Sequence, residues 1–167
     1  EDAVQVRDAL ETLEVFYRNF LSKGEREIPF RNELQIIQDY LALQKLRYVD
    51  SFTDEYEIDE ETYEYKVPKL ILQPLVENSI YHGVKLKGEH CIIRIAAKAD
   101  EDGLHIYIRD TGVGMKEEQI RKVLETEREE TVVKSQGGFG LVGTIDRIRH
   151  YCNRDDVVTI RSEVGEY

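Results

Sequence analysis

The most informative part of the sequence is residues 104–114, which read Leu104-His-Ile-Tyr-Ile-Arg-Asp110-Thr-Gly-Val-Gly114. Apolar residues alternate with polar ones along its first half, which predicts a half-buried β-strand. Another apolar run, Ile92 to Ile95, precedes it, and Asp102-Gly103 between the two runs favours a tight hairpin turn. The sequence therefore predicts two antiparallel strands, the second of which ends in a carboxylate followed by two glycines.

The residues after that strand have the chemistry of a binding turn. Asp110 can accept a hydrogen bond from an exocyclic amine such as that of adenine, and Gly112 and Gly114 let the backbone approach a flat ring closely. The same residues also make an ordinary turn between a strand and a helix. Asp-Thr-Gly is a signature of aspartic proteases as well, but that dyad needs a second carboxylate, and the motif occurs once in this chain.

A polar segment ends the apolar helix that is predicted from Leu70 to His82. Pro74 lies inside this helix and is expected to bend it or to remove one hydrogen bond. Asn78 and His82 are four residues apart, so both side chains project from one helix face. The Asn78 amide oxygen suits Mg²⁺ when a triphosphate supplies most of the charge, and Glu77 can accept a proton or orient a water. The alternative is a polar helix end with satisfied hydrogen bonds.

A third segment, residues 137–141, is glycine-rich and opens a predicted helix. Glycines before a helix present free N–H groups and the positive end of the helix dipole to phosphate. Residues 138–143 also match G-x-G-x-x-G, with Glu163 twenty residues beyond Gly143. A dinucleotide-binding turn follows a buried apolar strand, whereas residues 127–136 are charged and polar. We therefore do not expect a Rossmann site.

Composition restricts the function classes. The chain has 167 residues and a formal net charge of −11, which disfavours sequence-independent binding to nucleic acid. Two cysteines without a CxxC motif argue against a disulfide scaffold and against structural zinc. We see no apolar run long enough to span a membrane and no signal peptide. Because the chain opens on Glu1 and not on Met, we expect it to be a piece of a longer protein.

The remaining pattern predicts further elements around these motifs. They are a helix over residues 1–22, a helix over 31–47, a strand over 52–58, a helix over 116–125, a mobile polar loop over 126–137, a helix over 140–151 and a strand over 157–161. The apolar stripe of the first helix fits packing on its own domain and a dimerising seam equally well. The order of elements predicts an α/β or α+β fold with one layer of helices on a mixed sheet.

Taken together and in order, the three motifs closely resemble the ATP-binding domain shared by histidine kinases, type II topoisomerases, heat-shock-90 chaperones and mismatch-repair ATPases. The flanking stretches resemble the LytS-like sensor histidine kinases, and the likeness covers about residues 15–165. These stretches are Tyr40-Leu-Ala-Leu-Gln-Lys-Leu-Arg47-Tyr48, Val67-Pro-Lys-Leu-Ile-Leu-Gln-Pro-Leu-Val-Glu-Asn78 and Arg147-Ile-Arg149. The resemblance implies an α/β sandwich of the Bergerat (GHKL) type. It divides the chain into the tail of a dimerisation and phosphoacceptor region (residues 1–24) and a catalytic ATP-binding domain (residues 25–167).

The resemblance also implies roles for particular residues. Asn78 would hold Mg²⁺, Glu77 would act as base or orienter, and Asp110 would bind the adenine amine. Tyr81 stands where many histidine kinases have Lys or Arg, so His82 or Lys85 is expected to supply that phosphate contact. A lid would span about residues 115–137. The implied ATP-binding residues are Asn78, His82, Lys85, Asp110, Gly112, Gly114, Gly138, Gly140 and Leu141.

The implied function is transfer of the ATP γ-phosphoryl group to a histidine and then to a response regulator. None of the chain's four histidines has the setting of the family's acceptor, so we expect the acceptor upstream of Glu1. We expect a homodimer through upstream helices, no nucleic-acid partner, a cytoplasmic location and membrane contact only through segments outside this chain. Two alternatives stay open: a degenerate ATP-sensing domain, and another enzyme on this fold such as a serine-phosphorylating anti-sigma factor. The helices over residues 1–47 argue against the anti-sigma reading.

Overall fold

The computed structural model describes residues 26–125 and 140–164. Its strands are β1 (Glu27–Pro29), β2 (Phe52–Ile58), β3 (Lys66–Pro68), β4 (Cys91–Asp100) and β5 (Gly103–Asp110). The main sheet has the order β2-β4-β5, with β2 parallel to β4 and β4 antiparallel to β5. β1 and β3 form a separate antiparallel pair. The mixed sheet that the sequence predicted is therefore confirmed.

The helices lie near the positions that the apolar periodicity predicted. They are α1 (Phe30–Arg47), α2 (Gln73–Asn78), α3 (Lys85–Lys87), α4 (Glu117–Glu125) and α5 (Leu141–Cys152), with a π-helical stretch over Ser79–Val84 and a 3₁₀ turn over Glu60–Thr62. The predicted helices over 31–47, 116–125 and 140–151 are thus confirmed to within one or two residues. The predicted helix over residues 1–22 lies outside the described part of the chain.

One hydrophobic cluster joins α1 to the inner face of the sheet. Ile37 and Leu41 of α1 are fully buried, as are Ile93 and Ile95 of β4. The opposite face of the sheet is polar, and there Arg94 donates to Glu55 across the β2–β4 pair. Since one face is apolar and the other is solvated, the helices form a single layer on one side of the sheet.

The hairpin between β4 and β5 has a two-residue loop. Asp100 pairs with Gly103, which leaves residues 101 and 102 at the turn. Gly103 has a φ of 124°, a conformation that is open to glycine and costly for other residues. The predicted hairpin is confirmed, with the strand beginning at this glycine.

Two expectations about local structure are wrong. Pro74 does not bend a helix: α2 begins at Gln73, so the proline lies in the first turn, where its missing N–H costs nothing. The helix starts later than predicted because Leu70 adopts a left-handed conformation with a φ of 59°. Residues 157–161 form no strand, and the chain is instead held near its end, where Ser162 Oγ accepts the Met115 N–H at 2.8 Å.

Within the described ranges no helix is long and apolar enough to cross a membrane.

Candidate functional site

The site begins with the turn that follows β5. Asp110 is the last residue of that strand and is paired with Ile93 of β4. Thr111 then binds β4 twice, because its N–H donates to Ile92 O at 3.0 Å and its Oγ1 accepts the Ile92 N–H at 2.9 Å. The Lys87 ammonium donates to Thr111 O at 2.8 Å. The turn is therefore held rigidly on the sheet, which is what a site needs to present a carboxylate in one orientation.

The Asp110 turn is in direct contact with the helical segment that carries Asn78. Gly112 donates its N–H to Asp110 Oδ1 at 3.0 Å. A Cβ on Gly112 would lie 2.3 Å from the Gly83 Cα, and a Cβ on Gly83 would lie 2.6 Å from Asp110 Oδ1. Both glycines are thus required because two backbone segments and a carboxylate share one small space. The sequence reasoning assigned Gly83 no role, although a glycine inside a helical pattern is a signal of close packing.

Gly114 is required for two separate reasons. Its φ is 71°, and a Cβ there would lie 2.3 Å from Glu163 O. The chain near residue 163 therefore packs on this turn from the other side. The glycines that the sequence assigned to a ligand thus also serve the protein's own packing.

Glu77 and Asn78 lie at the end of α2, where the helix changes to the π-helical stretch. Glu77 Oε1 accepts a hydrogen bond from Gln73 Nε2 at 2.9 Å. Burial raises the pKa of Tyr40 in α1 well above its ordinary value, and the neighbouring Glu77 carboxylate and Tyr81 add to that shift. Gln73 therefore holds the Glu77 carboxylate, and Tyr40 lies near enough for that charge to raise its pKa; sequence reasoning missed both residues.

The two predicted phosphate contacts are on the surface. His82 and Lys85 are exposed, His82 within the π-helical stretch and Lys85 at the start of α3. A π-helical insertion inside a helix is often found at functional sites, because it redirects side chains away from the regular α-helical positions. Both residues follow Asn78 on the same continuous helical segment.

α5, whose first residues were predicted to contact phosphate, packs against α2. Gly140 is the N-cap residue of α5, it is exposed, and a Cβ there would meet nothing within 4 Å. Packing inside the described residues therefore does not require this glycine. α5 contacts α2, so Leu141 begins a helix that lies beside the one with Asn78. Gly138 and the second half of the predicted lid, residues 126–137, lie outside the described residues.

The donor set fits Mg²⁺ only as part of a nucleotide complex. Within residues 26–125 and 140–164 no group of three His, Cys, Asp or Glu side chains could hold a metal ion. The Asn78 amide oxygen at the end of α2 matches an ion held by one protein oxygen and otherwise by phosphates and water. The residues thus fit a shared metal and do not fit a closed protein site.

Comparison with known proteins gives two family matches. Residues 65–165 match the family described as histidine kinase-, DNA gyrase B-, and HSP90-like ATPase, and residues 1–52 match the family described as histidine kinase. The first match alone covers more than half of the chain. Together the two matches cover residues 1–52 and 65–165.

Individual relatives agree with these families. The sensor protein LytS of Bacillus anthracis is 30% identical over 99% of this chain. The LytS protein of Staphylococcus haemolyticus is 33% identical over 71% of the chain, and the sensor histidine kinase YpdA of Escherichia coli is 35% identical over 63%. The matched part is 28%, 20% and 18% of those proteins, so the chain spans less than a third of each. Among solved structures, the histidine kinase domain of a blue-light-activated kinase from Erythrobacter litoralis aligns with a TM-score of 0.46 and 14% identity, over 75% of this chain and 60% of that one.

Proposed function

Because the chain belongs to the family of histidine kinase-, DNA gyrase B- and HSP90-like ATPases, we propose that residues 25–167 are the catalytic domain of a sensor histidine kinase. Membership of the family implies an α/β ATP-binding domain, and the named relatives are sensor kinases. The degenerate or anti-sigma alternatives have no comparable support. The observation that carries the proposal is the junction of Asp110, Gly112 and Gly83, which joins the Asp110 turn to the helix of Asn78.

In this proposal Asp110 recognises the adenine ring. Its Oδ1 is engaged by the Gly112 N–H, which fixes the plane of the carboxylate. The other oxygen, Oδ2, then accepts a hydrogen bond from the exocyclic amine of adenine. A site that is built to satisfy such a polar group discriminates strongly against ligands that lack it.

The phosphates occupy the region between the end of α2 and the start of α5. Gly138, Gly140 and Leu141 contribute backbone N–H groups and the positive end of the α5 dipole. The His82 imidazole or the Lys85 ammonium adds a further contact to the phosphates. Asn78 would hold a Mg²⁺ ion shared with the triphosphate, and that ion would supply neutralisation of part of the phosphate charge.

Glu77 acts on the nucleophile. A histidine nitrogen attacks the γ-phosphorus, the bond between phosphorus and the β,γ-bridging oxygen breaks, and ADP leaves with the electron pair. The attacking imidazole gains positive charge, and the Glu77 carboxylate stabilises it by accepting its other N–H or the proton. Gln73 holds that carboxylate at 2.9 Å, and most of the rate acceleration comes from positioning and electrostatics.

The acceptor histidine is proposed to lie outside this chain. His90 binds Asp50 O at 2.8 Å, His105 binds Asp100 at 2.9 Å, and His150 binds its own helix at Asp146 O at 2.9 Å. The phosphoryl group would then pass to an aspartate of a response regulator. Dimerisation through helices upstream of the ATP-binding domain, the role of residues 1–24 and a cytoplasmic location belong to the same proposal.

The first test is calorimetric titration of the 167-residue chain with ATP, with and without Mg²⁺. We expect Asp110→Asn to lower ATP affinity by about 10- to 100-fold, since a hydrogen bond to a charged group contributes about 1.5–3 kcal/mol. Asp100→Asn, at the other end of the same hairpin, is the matched control and should bind like the parent. Asn78→Ala should abolish the gain in affinity that Mg²⁺ produces, whereas Asn32→Ala on the exposed face of α1 should keep it. A folded parent chain that binds no ATP would refute the proposal.

A further inference from the structure

Glu33 is the most deeply buried charged group outside the candidate site. It lies in the first turns of α1 and is 0% exposed, and among residues 26–125 and 140–164 it is the only fully buried Asp, Glu, Lys or Arg side chain. Burying a carboxylate is costly unless hydrogen bonds compensate it. A fully buried carboxylate therefore requires an explanation.

Three successive backbone N–H groups converge on the Glu33 carboxylate. Oε1 accepts the N–H groups of Ile71 at 2.7 Å and Leu72 at 2.9 Å, and Oε2 accepts that of Leu70 at 2.8 Å. Leu70 has a φ of 59°, an unfavourable conformation for leucine that turns its N–H toward the same point as the next two. The carboxylate thus stabilises a strained loop, residues 69–72, immediately before α2.

A cation from α5 holds the same loop by its carbonyl groups. Arg147 donates to Lys69 O at 2.7 Å and to Leu70 O at 3.4 Å. Burial raises the pKa of Glu33, while its three N–H partners and the positive charge of Arg147 act in the opposite direction. The loop is therefore fixed between a carboxylate from α1 and a guanidinium from α5.

This loop connects directly to the residues of the site. Leu72 is the N-cap residue of α2, and its own side chain makes no capping hydrogen bond. Glu77 and Asn78 are the last two residues of the same helix. Arg147 belongs to the helix that begins at Leu141. A rigid link from Glu33 through the loop to both helices sets the distance between Asn78 and the start of α5.

We propose that Glu33 is a positioning residue of the kinase, which places Asn78 and Glu77 against the phosphate end of α5 through the loop 69–72 and Arg147. This inference rests on the proposed function, since it assigns Asn78 to the metal and α5 to the phosphates. Glu33 itself touches neither ligand. Its effect is on how well Mg²⁺ and the triphosphate are held together, and binding of the adenine ring at Asp110 does not depend on it.

The test compares Glu33→Gln with the parent chain by calorimetry. Glutamine keeps the size of the side chain, but its NH₂ group must face one of the three N–H groups and cannot accept from it. We expect the ratio of ATP affinity with Mg²⁺ to that without Mg²⁺ to fall about tenfold or more, which is the usual effect of removing an outer partner of a metal ligand. The affinity for adenosine, which has no phosphate, should stay within about twofold of the parent. Glu57→Gln, an exposed carboxylate on β2, is the matched control and should change neither quantity.

A second variant and a second measurement make the result decisive. Arg147→Lys keeps the charge but loses one of the two hydrogen bonds to the loop. It should also lower the ratio of ATP affinity with Mg²⁺ to that without Mg²⁺, and it serves as the test if Glu33→Gln does not fold. Amide hydrogen exchange should show faster exchange of residues 70–78 in either variant. An unchanged Mg²⁺ ratio with unchanged exchange in a folded variant would overturn the inference while leaving the proposed function standing. A parent chain whose ATP affinity does not change with Mg²⁺ would overturn the proposed function. Amide hydrogen exchange of residues 70–78 in the variants would then decide by itself whether Glu33 positions α2.

Discussion

The strongest prediction concerns Gly83, where the π-helical stretch touches the Asp110 turn. Replacing it with alanine adds one methyl group 2.6 Å from Asp110 Oδ1 and 3.2 Å from its Cγ. Ordinary contact distances are about 3.5 Å, so the methyl group is about 0.9 Å too close to the oxygen. Gly112 Cα lies 3.5 Å away on the same side, which limits the direction in which the helical segment can move.

The energetic cost can be estimated from the two ways in which the clash can be relieved. Either the Asp110 carboxylate rotates and loses its bond to the Gly112 N–H, or the helical segment moves away from β5. Overpacking of this kind costs about 1–3 kcal/mol, and the helix preference of alanine over glycine returns up to about 1 kcal/mol. We therefore expect a net destabilisation of about 1–2 kcal/mol, or a fall in Tm of about 2–8 °C for a domain of this size. ATP affinity should fall about tenfold or more, because the first route displaces the Asp110 carboxylate and the second displaces the helical segment that carries Asn78.

Thermal melting and calorimetric titration of Gly83→Ala measure these two effects. Gly143→Ala is the matched stability control, since Gly143 lies inside α5 and a Cβ there meets nothing within 4 Å. That variant should raise the Tm by about 2–4 °C, because alanine is favoured over glycine in a helix by about 1 kcal/mol. A Gly83→Ala chain that melts at the parent temperature and binds ATP with parent affinity would refute the close packing of the two segments.

Two further predictions concern the sheet around the site. Thr111→Val removes the Oγ1 acceptor of the Ile92 N–H and should lower the free energy of unfolding by about 1–3 kcal/mol in chemical denaturation. Thr111→Ser keeps the hydroxyl group and should recover most of that loss. Equal stability of the valine and serine variants would contradict the assignment of this hydrogen bond. Burial alone would raise the pKa of Asp54, but hydrogen bonds from Lys45 and Tyr56 outweigh it and hold the pKa below its ordinary value of 3.8. A group with a lowered folded pKa contributes stability above its unfolded pKa and loses it as the pH falls through the folded pKa. Melting curves between about pH 2 and pH 6 should therefore show a steeper acid loss for the parent chain than for Asp54→Asn, and parallel curves would count against the pair.

Elements with strong local signals were predicted well. The β4–β5 hairpin follows from alternating apolar residues and from Asp102-Gly103, because the residue that follows the two-residue loop has a positive φ, which glycine accepts at little cost. α1 follows from its apolar periodicity, and five apolar residues inside the predicted helix over 31–47 are buried: Leu34, Ile36, Ile37, Tyr40 and Leu41. In both cases the residues that form the pattern are neighbours in the chain.

Elements that depend on distant contacts were predicted less well. Pro74 was read as a break inside a helix, since nothing local indicates that residues 69–72 form a loop around a carboxylate 37 to 39 residues away. Residues 157–161 have a strand-like composition, but no neighbouring strand pairs with them in the described structure. β propensity depends strongly on such partners, so composition alone overestimates strands at a sheet edge.

The sequence by itself determined the order of the motifs, the mixed sheet with one layer of helices, and the candidate residues Asn78, Asp110 and Leu141, because each depends on residue type and on spacing along the chain. Only the tertiary structure decided which segments touch. The contact of Gly83 with Gly112 and the convergence of three N–H groups on Glu33 join residues that are far apart in sequence. Their physical basis is close packing and the need to satisfy a buried charge, and neither leaves a periodic signal in the sequence.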